Sequence, residues 1–512
     1  MIRSFLTVSS GTLASRLLGF VRDSVIAALL GAGPVADAFL AAFQLVNVVR
    51  RLLAEGGLNA ALVPAWLKVR DTDGAAAARA FAGRVLCTVG AAVVAAALLL
   101  GILMPLVITA IAPGFVGRDA LQFAVDDARL MLPYLAFAGP VTVLMALLNA
   151  QGRFALTAFS PLLFNIALIA IMAVLLVRRQ DPLEAALVMA ATIGVAGFLQ
   201  LSMLGLSSGK AAAPLRVSFD GEMRRFFGRA IPGMVASSAP QWLVVAGAVI
   251  ASHSPSAVSW LYFANRLLEL PLGIVGVAMG TVLIPEMTRA VRAGDHTAIA
   301  HAESRGLELA VGLALPATFG LIVLSEPIAR LLFEHGAFTA TDTAATAQAL
   351  TWLTLALPAQ VLVKALSPAF FAREDTVTPL LATLKAIAVT IVTAILLGHL
   401  FGANGIAAAI ALGAWSNALS LIRKGAATFG FAIDAAARRR LPRILAAALA
   451  MGAALWLAET TQPTAGAHGF VQAASLLLLI AAGIASYGLF LQLFGVTGWR
   501  EAVNAVRQKR LG

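Results

Sequence analysis

Charge is what this 512-residue chain has least of: Asp, Glu, Lys and Arg together make up 12% of it, against 60% hydrophobic residues. A soluble domain carries roughly 25% charged residues, so the composition excludes one. A mean hydropathy of +0.91 places the chain in a bilayer. Cysteine is nearly absent, and the single Cys87 excludes an intramolecular disulfide; it reads as a small apolar packing residue within a span. Enzyme motifs are absent too, with no Walker-type glycine loop, no H-E-x-x-H pattern and no paired metal-ligand histidines. His253, His296, His301, His335, His399 and His468 fall in predicted loops or at span ends, where solvation explains them. The chain therefore reads as a non-enzyme, with no metal and no cofactor assigned. Without an ATPase signature, any transport it performs draws on an ion gradient, the membrane potential or substrate flux.

What the chain has is apolar spans. With about 20 apolar residues as the unit, about fourteen helices are predicted. Their rough cores are 5–30, 34–66, 82–112, 127–150, 156–178, 183–206, 224–252, 257–288, 305–333, 344–371, 377–399, 404–422, 441–459 and 470–494. This is an all-α polytopic membrane protein. Breaks are expected at Gly31 to Pro34, Gly56-Gly57, Pro232-Gly233 and Pro271 to Gly273. Arg3 and the apolar run after it read as a first retained helix, since Ser15-Arg16 interrupts the run and no small-residue cleavage site follows before Arg22. The net charge of +12 has a topological cause. Of the 37 Lys and Arg residues, about 25 lie in the termini and even-numbered loops and about four in the opposite loops. Both termini are expected in the cytoplasm, and nucleic-acid binding is not.

The remaining basic residues, Arg16, Arg22, Arg50, Arg51, Arg266, Arg330, Lys364 and Lys385, lie within or at the ends of spans. A charge at that depth costs roughly 3 kcal/mol or more, so it faces protein or water. On the first helix Thr12, Ser15, Arg16, Gly19, Arg22 and Asp23 fall within an arc of roughly 120°. On the second, Asp37, Gln44, Arg51 and Glu55 share a stripe, with Asn47 and Arg50 on its flank, so an ideal helix does not decide which arginine faces inward. Arg266 and Glu269 are spaced to pair on one helix face, and Arg330 stands near Glu334 at a helix end. Arginine keeps its charge at any depth, and its planar fork matches phosphate oxygens in bidentate fashion. Several of them suit an anion bearing phosphoryl or carboxyl oxygens.

The two halves of the chain look alike. Arg51-Leu52-Leu53 with Val63-Pro64 is echoed by Arg266-Leu267-Leu268 with Ile284-Pro285, Gly114-Phe115 by Ala337-Phe338, and Arg153 with Pro161-Leu162-Leu163 by Arg373 with Pro379-Leu380-Leu381. A nearly constant offset in one direction marks parallel repeats. The expected organisation is an N-lobe over 1–215, a C-lobe over 216–430, each of six helices, and two further helices with a basic tail over 431–512. Duplicated bundles of this kind bind substrate at the midplane between the halves and alternate access by rocking.

The run Ser15-Arg16-Leu17-Leu18-Gly19-Phe20-Val21-Arg22-Asp23, with Ala36 to Phe39, Asn47 to Arg51, Ala54-Glu55-Gly56 and Val63-Pro64, resembles the MurJ (MviN) family of bacterial lipid II flippases. Further matches are Ala112 to Phe115, Pro161 to Asn165, Ser259 to Tyr262, Asn265-Arg266-Leu267, Gly276 to Pro285 and Gly336 to Thr339. The resemblance implies a member of the multidrug, oligosaccharide-lipid and polysaccharide exporter superfamily in the inner membrane. Such a protein would move undecaprenyl-diphosphate-linked disaccharide-pentapeptide, lipid II, to the periplasmic leaflet for cell-wall synthesis among membrane lipids, and a monomer is expected because the repeated halves already supply the interface a dimer would provide. It also implies cavity arginines at Arg16, Arg22, Arg50 and Arg266. Ser15, Asp23, Asp37, Asn47, Arg51, Glu55 and Glu269 complete the expected substrate-binding set. Asn265 stands where other members often carry Asp, and the eleventh span offers Lys385 and no carboxylate, so no sodium site is assigned. The competing expectations are an exporter of another polyprenyl-diphosphate-linked oligosaccharide, a cation-coupled drug antiporter, and a scaffold for wall-synthesis enzymes.

Overall fold

The computed structural model describes residues 2–54, 57–209, 212–278, 289, 296–371, 373, 375, 377–430, 434–461 and 469–496. Glu55, Gly56, Lys210, Gly280, Ile284-Pro285, His468 and the basic C-terminal tail lie outside the described residues. Among the described residues the chain is helical, with no strand. The helices are α1 (Ile2–Leu30), α2 (Pro34–Ala54), α3 (Gly57–Ile111), α4 (Asp119–Ala150), α5 (Phe154–Arg178), α6 (Pro182–Ser208), α7 (Gly221–Ala251) and α8 (Ala257–Ala278). They continue as α9 (His296–Val323), α10 (Ser325–Phe333), α11 (Ala340–Thr354), α12 (Leu357–Phe371), α13 (Val377–Phe429), α14 (Ala435–Thr461) and α15 (Phe470–Leu493). Each of the fourteen expected cores overlaps one or two of them, and nine among the described helices are long and apolar enough to cross a membrane. The protein is an all-α polytopic membrane protein.

The helix boundaries follow local chemistry. Asp181, Asp220, Asp375 and Asp434 each accept a backbone N–H from the first turn of the helix they precede, at 3.1, 2.9, 2.9 and 2.6 Å. A side-chain acceptor there satisfies a donor that has no helical partner. The loop expected between residues 66 and 82 is instead helix, bent at Gly74 (φ 85, ψ 175). Ala75 to Ala78 follow that glycine, and alanine is the strongest helix former. Gly402 (φ 57, ψ −135) makes the corresponding bend in α13, where a break between spans was expected. The breaks expected at Pro232-Gly233 and Pro271 do not occur, since α7 and α8 run through both. A membrane bundle tolerates a proline within a helix because neighbouring groups and small backbone adjustments re-satisfy the freed carbonyls. Conversely, span 305–333 is two helices meeting at Leu324, where Ser325-Glu326-Pro327 puts proline in a first turn that needs no helical N–H. Span 344–371 also divides, at Leu355-Ala356.

The chain forms two compact units, one of residues 1–259 with 335–339, the other of residues 260–334 with 340–512. In the first, α4 packs against α2, α3, α5 and α6, α1 lies on α5, and α7 lies on α3. Leu58, Leu62, Trp66, Phe81, Val85, Leu147, Met223 and Phe226 form a core there. The Phe81 and Phe226 rings meet edge to face at 5.8 Å. The connection before α7 is strapped to α3: Arg84 bonds Asp220 at 2.8 Å and Glu222 at 2.5 Å, and the Thr88 hydroxyl accepts from Ser218 N at 3.1 Å. In the second unit α9 packs on α12 and α14, α12 on α13, α10 on α11, and α14 on α15.

Candidate substrate-binding site

The first unit holds most of the expected site. On α1, Arg22 is 8% exposed and Asp23 fully buried. The Arg22 Nε and Nη2 donate to Asp23 Oδ1 at 2.9 and 2.7 Å, and Nη1 donates to Asn165 Oδ1 at 3.1 Å. Its guanidinium lies 5.0 Å from the Phe43 ring centroid and 5.9 Å from that of Phe164, and Tyr134 packs on Phe164 at 5.3 Å. Asn165 in turn donates Nδ2 to the Ser15 carbonyl at 3.1 Å, tying α5 to α1. Arg22 is thus enclosed by an ion pair, an amide and two aromatic faces. That arrangement holds helices together and engages all three guanidinium nitrogens.

Arg16, about one and a half turns from Arg22, is different. It is partly exposed on α1 beside the partly exposed Ser15, and it makes no hydrogen bond or ion pair among the described residues. On α2 both candidate arginines are partly exposed. Arg50 Nε reaches Asn47 Oδ1 at 3.4 Å, a long bond that a stronger acceptor would displace, and Arg51 has partners of its own. Burial therefore does not separate Arg50 from Arg51. In the second unit Arg266 Nη1 bonds Glu269 Oε2 at 2.8 Å, the expected pair on α8, with side chains 19% and 30% exposed. Arg330 pairs with Glu326 and Glu334 at 2.5 and 3.4 Å, as its position suggested.

Asp37 has a packing role. It is 3% exposed, and its two oxygens accept from Ser256 N at 2.8 Å, Ser259 N at 2.9 Å and the Ser259 hydroxyl at 2.5 Å, the residues that open α8. Two other motif stretches are docking loops as well. Gly114 N donates to the Ser252 hydroxyl at 2.9 Å, and Ala337 N to the Ala28 carbonyl at 2.8 Å. Asn165 and Tyr134 were missed as site-building residues. Asn165 lay within a quoted motif, but no helical wheel reveals that an amide on α5 reaches an arginine on α1. A cavity of about 360 Å³ lined by Val69, Asp73, Arg84, Pro214, Arg216 and Glu222 touches none of the candidate arginines.

A chain with a family of buried and half-buried arginines on an all-helical membrane fold can be compared directly with known transporters. The family model for lipid II flippase MurJ matches residues 26–476. The chain belongs to the MurJ family. It is 36% identical over 511 residues to a Rhizobium meliloti (strain 1021) protein named "Probable lipid II flippase MurJ", covering 97% of this chain and 94% of that one. Among solved structures it is similar to a lipid II flippase MurJ in an inward closed conformation, with a TM-score of 0.80 and 22% identity over 97% of this chain and 100% of that one. The fold also matches an inward-facing multidrug resistance MATE family transporter of the MOP superfamily, with a TM-score of 0.65 and 14% identity over 86% and 98% of the two chains. The MurJ relatives are named as flippases, transporters and not catalysts.

Proposed function

We propose that this protein moves lipid II from the cytoplasmic to the periplasmic leaflet of the bacterial inner membrane. The observation that carries the proposal is the MurJ family match over residues 26–476, joined to near full-length similarity with a MurJ relative. Arg16 is the first ligand of the diphosphate: it is partly buried, permanently charged and without a partner among the described residues. Arg50 and Arg266 join it by exchanging Asn47 and Glu269 for phosphate oxygens, and Arg51 supports them. Arg22, with Asp23 and Asn165, holds α1 in the register that presents Arg16. Ser15 helps to set that register through its carbonyl, and Asp37 fixes the turn that opens α8. Glu55, which lies outside the described residues, completes the proposed set on the sequence reading alone.

The lobes over 1–215 and 216–430 alternate access for the headgroup while the prenyl chain stays in lipid, and residues 431–512 add two helices. Keeping the tail in hydrocarbon avoids moving a long alkyl chain through water. The protein works as a monomer with both termini in the cytoplasm.

The test is translocation of a fluorescent lipid II headgroup in vesicles reconstituted with the purified full-length chain. Translocation by the native protein, lost in Arg16→Ala with the same folded yield, supports the proposal. No translocation by the native protein, with or without an imposed potential, overturns it, and so does full activity with Ala at both Arg16 and Arg266.

A further inference from the structure

The inward stripe of α4 contains a residue that neither the ion pairs nor the caps use. Ala120, Ala124, Asp127, Ala128, Met131, Tyr134, Leu135 and Ala138 are all buried, at the three- and four-residue spacing of one helix face. Asp127 is 1% exposed, and its Oδ1 is buried with no hydrogen-bond partner. Among the described residues Asp127 makes no hydrogen bond and no ion pair. It sits two helical turns, about 10.5 Å along the axis, from the Tyr134 that packs on the Arg22 cage.

The ionisable groups around it have commitments elsewhere. On α4 itself, Asp126 accepts from Gln122 at 2.9 and 3.0 Å, Arg129 donates to the Gly101 carbonyl at 3.2 Å, and Asp119 is exposed. The last turns of α3, from Thr88 to Ile111, carry no ionisable side chain, and Arg79, Arg84 and Cys87 lie below them. On α2, Asp37 is held by Ser256 and Ser259, while Arg50 and Arg51 are at the far end of the helix. On α5, Arg178 is exposed; on α6, Glu184 is bonded by Gln180; and after the Pro113–Phe115 turn, Arg118 reaches the His253 carbonyl at 3.4 Å. Among the described residues no cation is left to neutralise a carboxylate at 127. An ionised carboxylate without a partner in apolar surroundings is the most costly state open to that side chain, and the neutral acid removes the cost.

We infer that Asp127 is a proton-binding site: the carboxyl is held as the neutral acid while the α4 stripe is closed and takes on charge only when that stripe opens to water. A proton bound in one packing and released in another favours the first, so proton concentration biases the conformation of this bundle. The inference concerns the chain's own acid and does not depend on which lipid is carried.

Infrared spectra of the full-length protein, labelled with ¹³C-aspartate and held in lipid nanodiscs, read the proton directly. At neutral pH the native protein is expected to show a labelled protonated-carboxyl band that is lost in Asp127→Asn and Asp127→Glu and kept in Asp126→Asn. The Glu variant retains an acid at the site while removing the label, so it decides the matter if the Asn variant does not fold. A native spectrum in which every aspartate is ionised overturns the inference without any variant, as does a protonated band whose intensity neither substitution at 127 changes.

Discussion

Replacing Arg22 by Ala leaves Asp23, fully buried, without the two hydrogen bonds that the guanidinium supplies at 2.9 and 2.7 Å, and it empties the space between Phe43 and Phe164. Breaking a buried pair by removing one partner costs about 3–5 kcal/mol, mainly because a charge is stranded. Each aromatic face adds about 0.5–1 kcal/mol of lost cation–π attraction. Arg22→Ala should therefore destabilise the protein by at least about 3 kcal/mol. Arg22→Lys should recover part of that, since an ammonium keeps the charge but cannot serve Asp23 and Asn165 with one planar fork. The double variant Arg22→Met with Asp23→Leu strands nothing and should unfold within about 1 kcal/mol of the native protein. Equilibrium unfolding in mixed micelles, run as a double-mutant cycle, measures all of these. If Arg22→Ala unfolds within about 1 kcal/mol of native, the pair is not the clamp described and the reasoning fails. Headgroup binding by the stable double variant separates the roles: retained binding makes Arg22 a positioning residue for Arg16, and lost binding makes it a ligand.

Arg16→Ala should leave stability within about 0.5 kcal/mol, because a partly exposed side chain without partners has little folding role, while binding of a soluble pyrophosphate headgroup analogue, followed by calorimetry, should weaken at least tenfold, about 1.4 kcal/mol. Gly31→Ala should destabilise by at least about 1–2 kcal/mol, since φ is +65° there and a Cβ would stand 2.6 Å from the Ala337 carbonyl oxygen; thermal unfolding of the variant checks it. Asp220 is held below the usual carboxylate range by the Met223 N–H and then by the Ser218 hydroxyl, with Arg84 adding to them. A carboxyl depressed in the native state contributes stability above its ordinary value of about 4 and loses it as pH falls toward the native value. Asp220→Asn should accordingly remove part of the acid sensitivity in a series of melts from neutral to acid pH, and an unchanged acid limb would count against the strap.

Much of the fold was legible because apolar length acts locally, and the prolines and glycines of a membrane span mark candidate bends. The caps at Asp181, Asp220, Asp375 and Asp434 emerged only from the structure. The misreadings arose where tertiary packing or helix propensity outweighed the local signal. Pro232 and Pro271 did not break their helices, the alanine run after Gly74 extended one, and Leu324 divided a span that hydropathy alone joins. The arginines were legible as residues that lipid does not tolerate, and the Arg266–Glu269 pair followed from spacing. What periodicity could not show was Asn165 on α5 closing over Arg22, or Asp127 buried on α4 with no ion pair among the described residues, because both depend on which helices become neighbours.

Counter-charges explain why a charged position inside a span does not by itself show what contacts substrate. A buried arginine is tolerable when a carboxylate or amide meets its fork, but the same contact occupies the hydrogen-bond donors that a phosphate would need. Arg22 has gone furthest in that direction: Asp23 and Asn165 take three of its donor contacts, and exchanging them for a diphosphate would take from a fully buried acid the two bonds at 2.9 and 2.7 Å that the guanidinium supplies. Arg266 is intermediate, since Glu269 is 30% exposed and water can receive it when the pair opens. Arg16 has no such debt among the described residues, so a diphosphate gains its charge-assisted bonds without first breaking others. Arg16, without a hydrogen bond or ion pair among the described residues, is for that reason the candidate arginine whose loss should weaken headgroup binding most while disturbing the fold least.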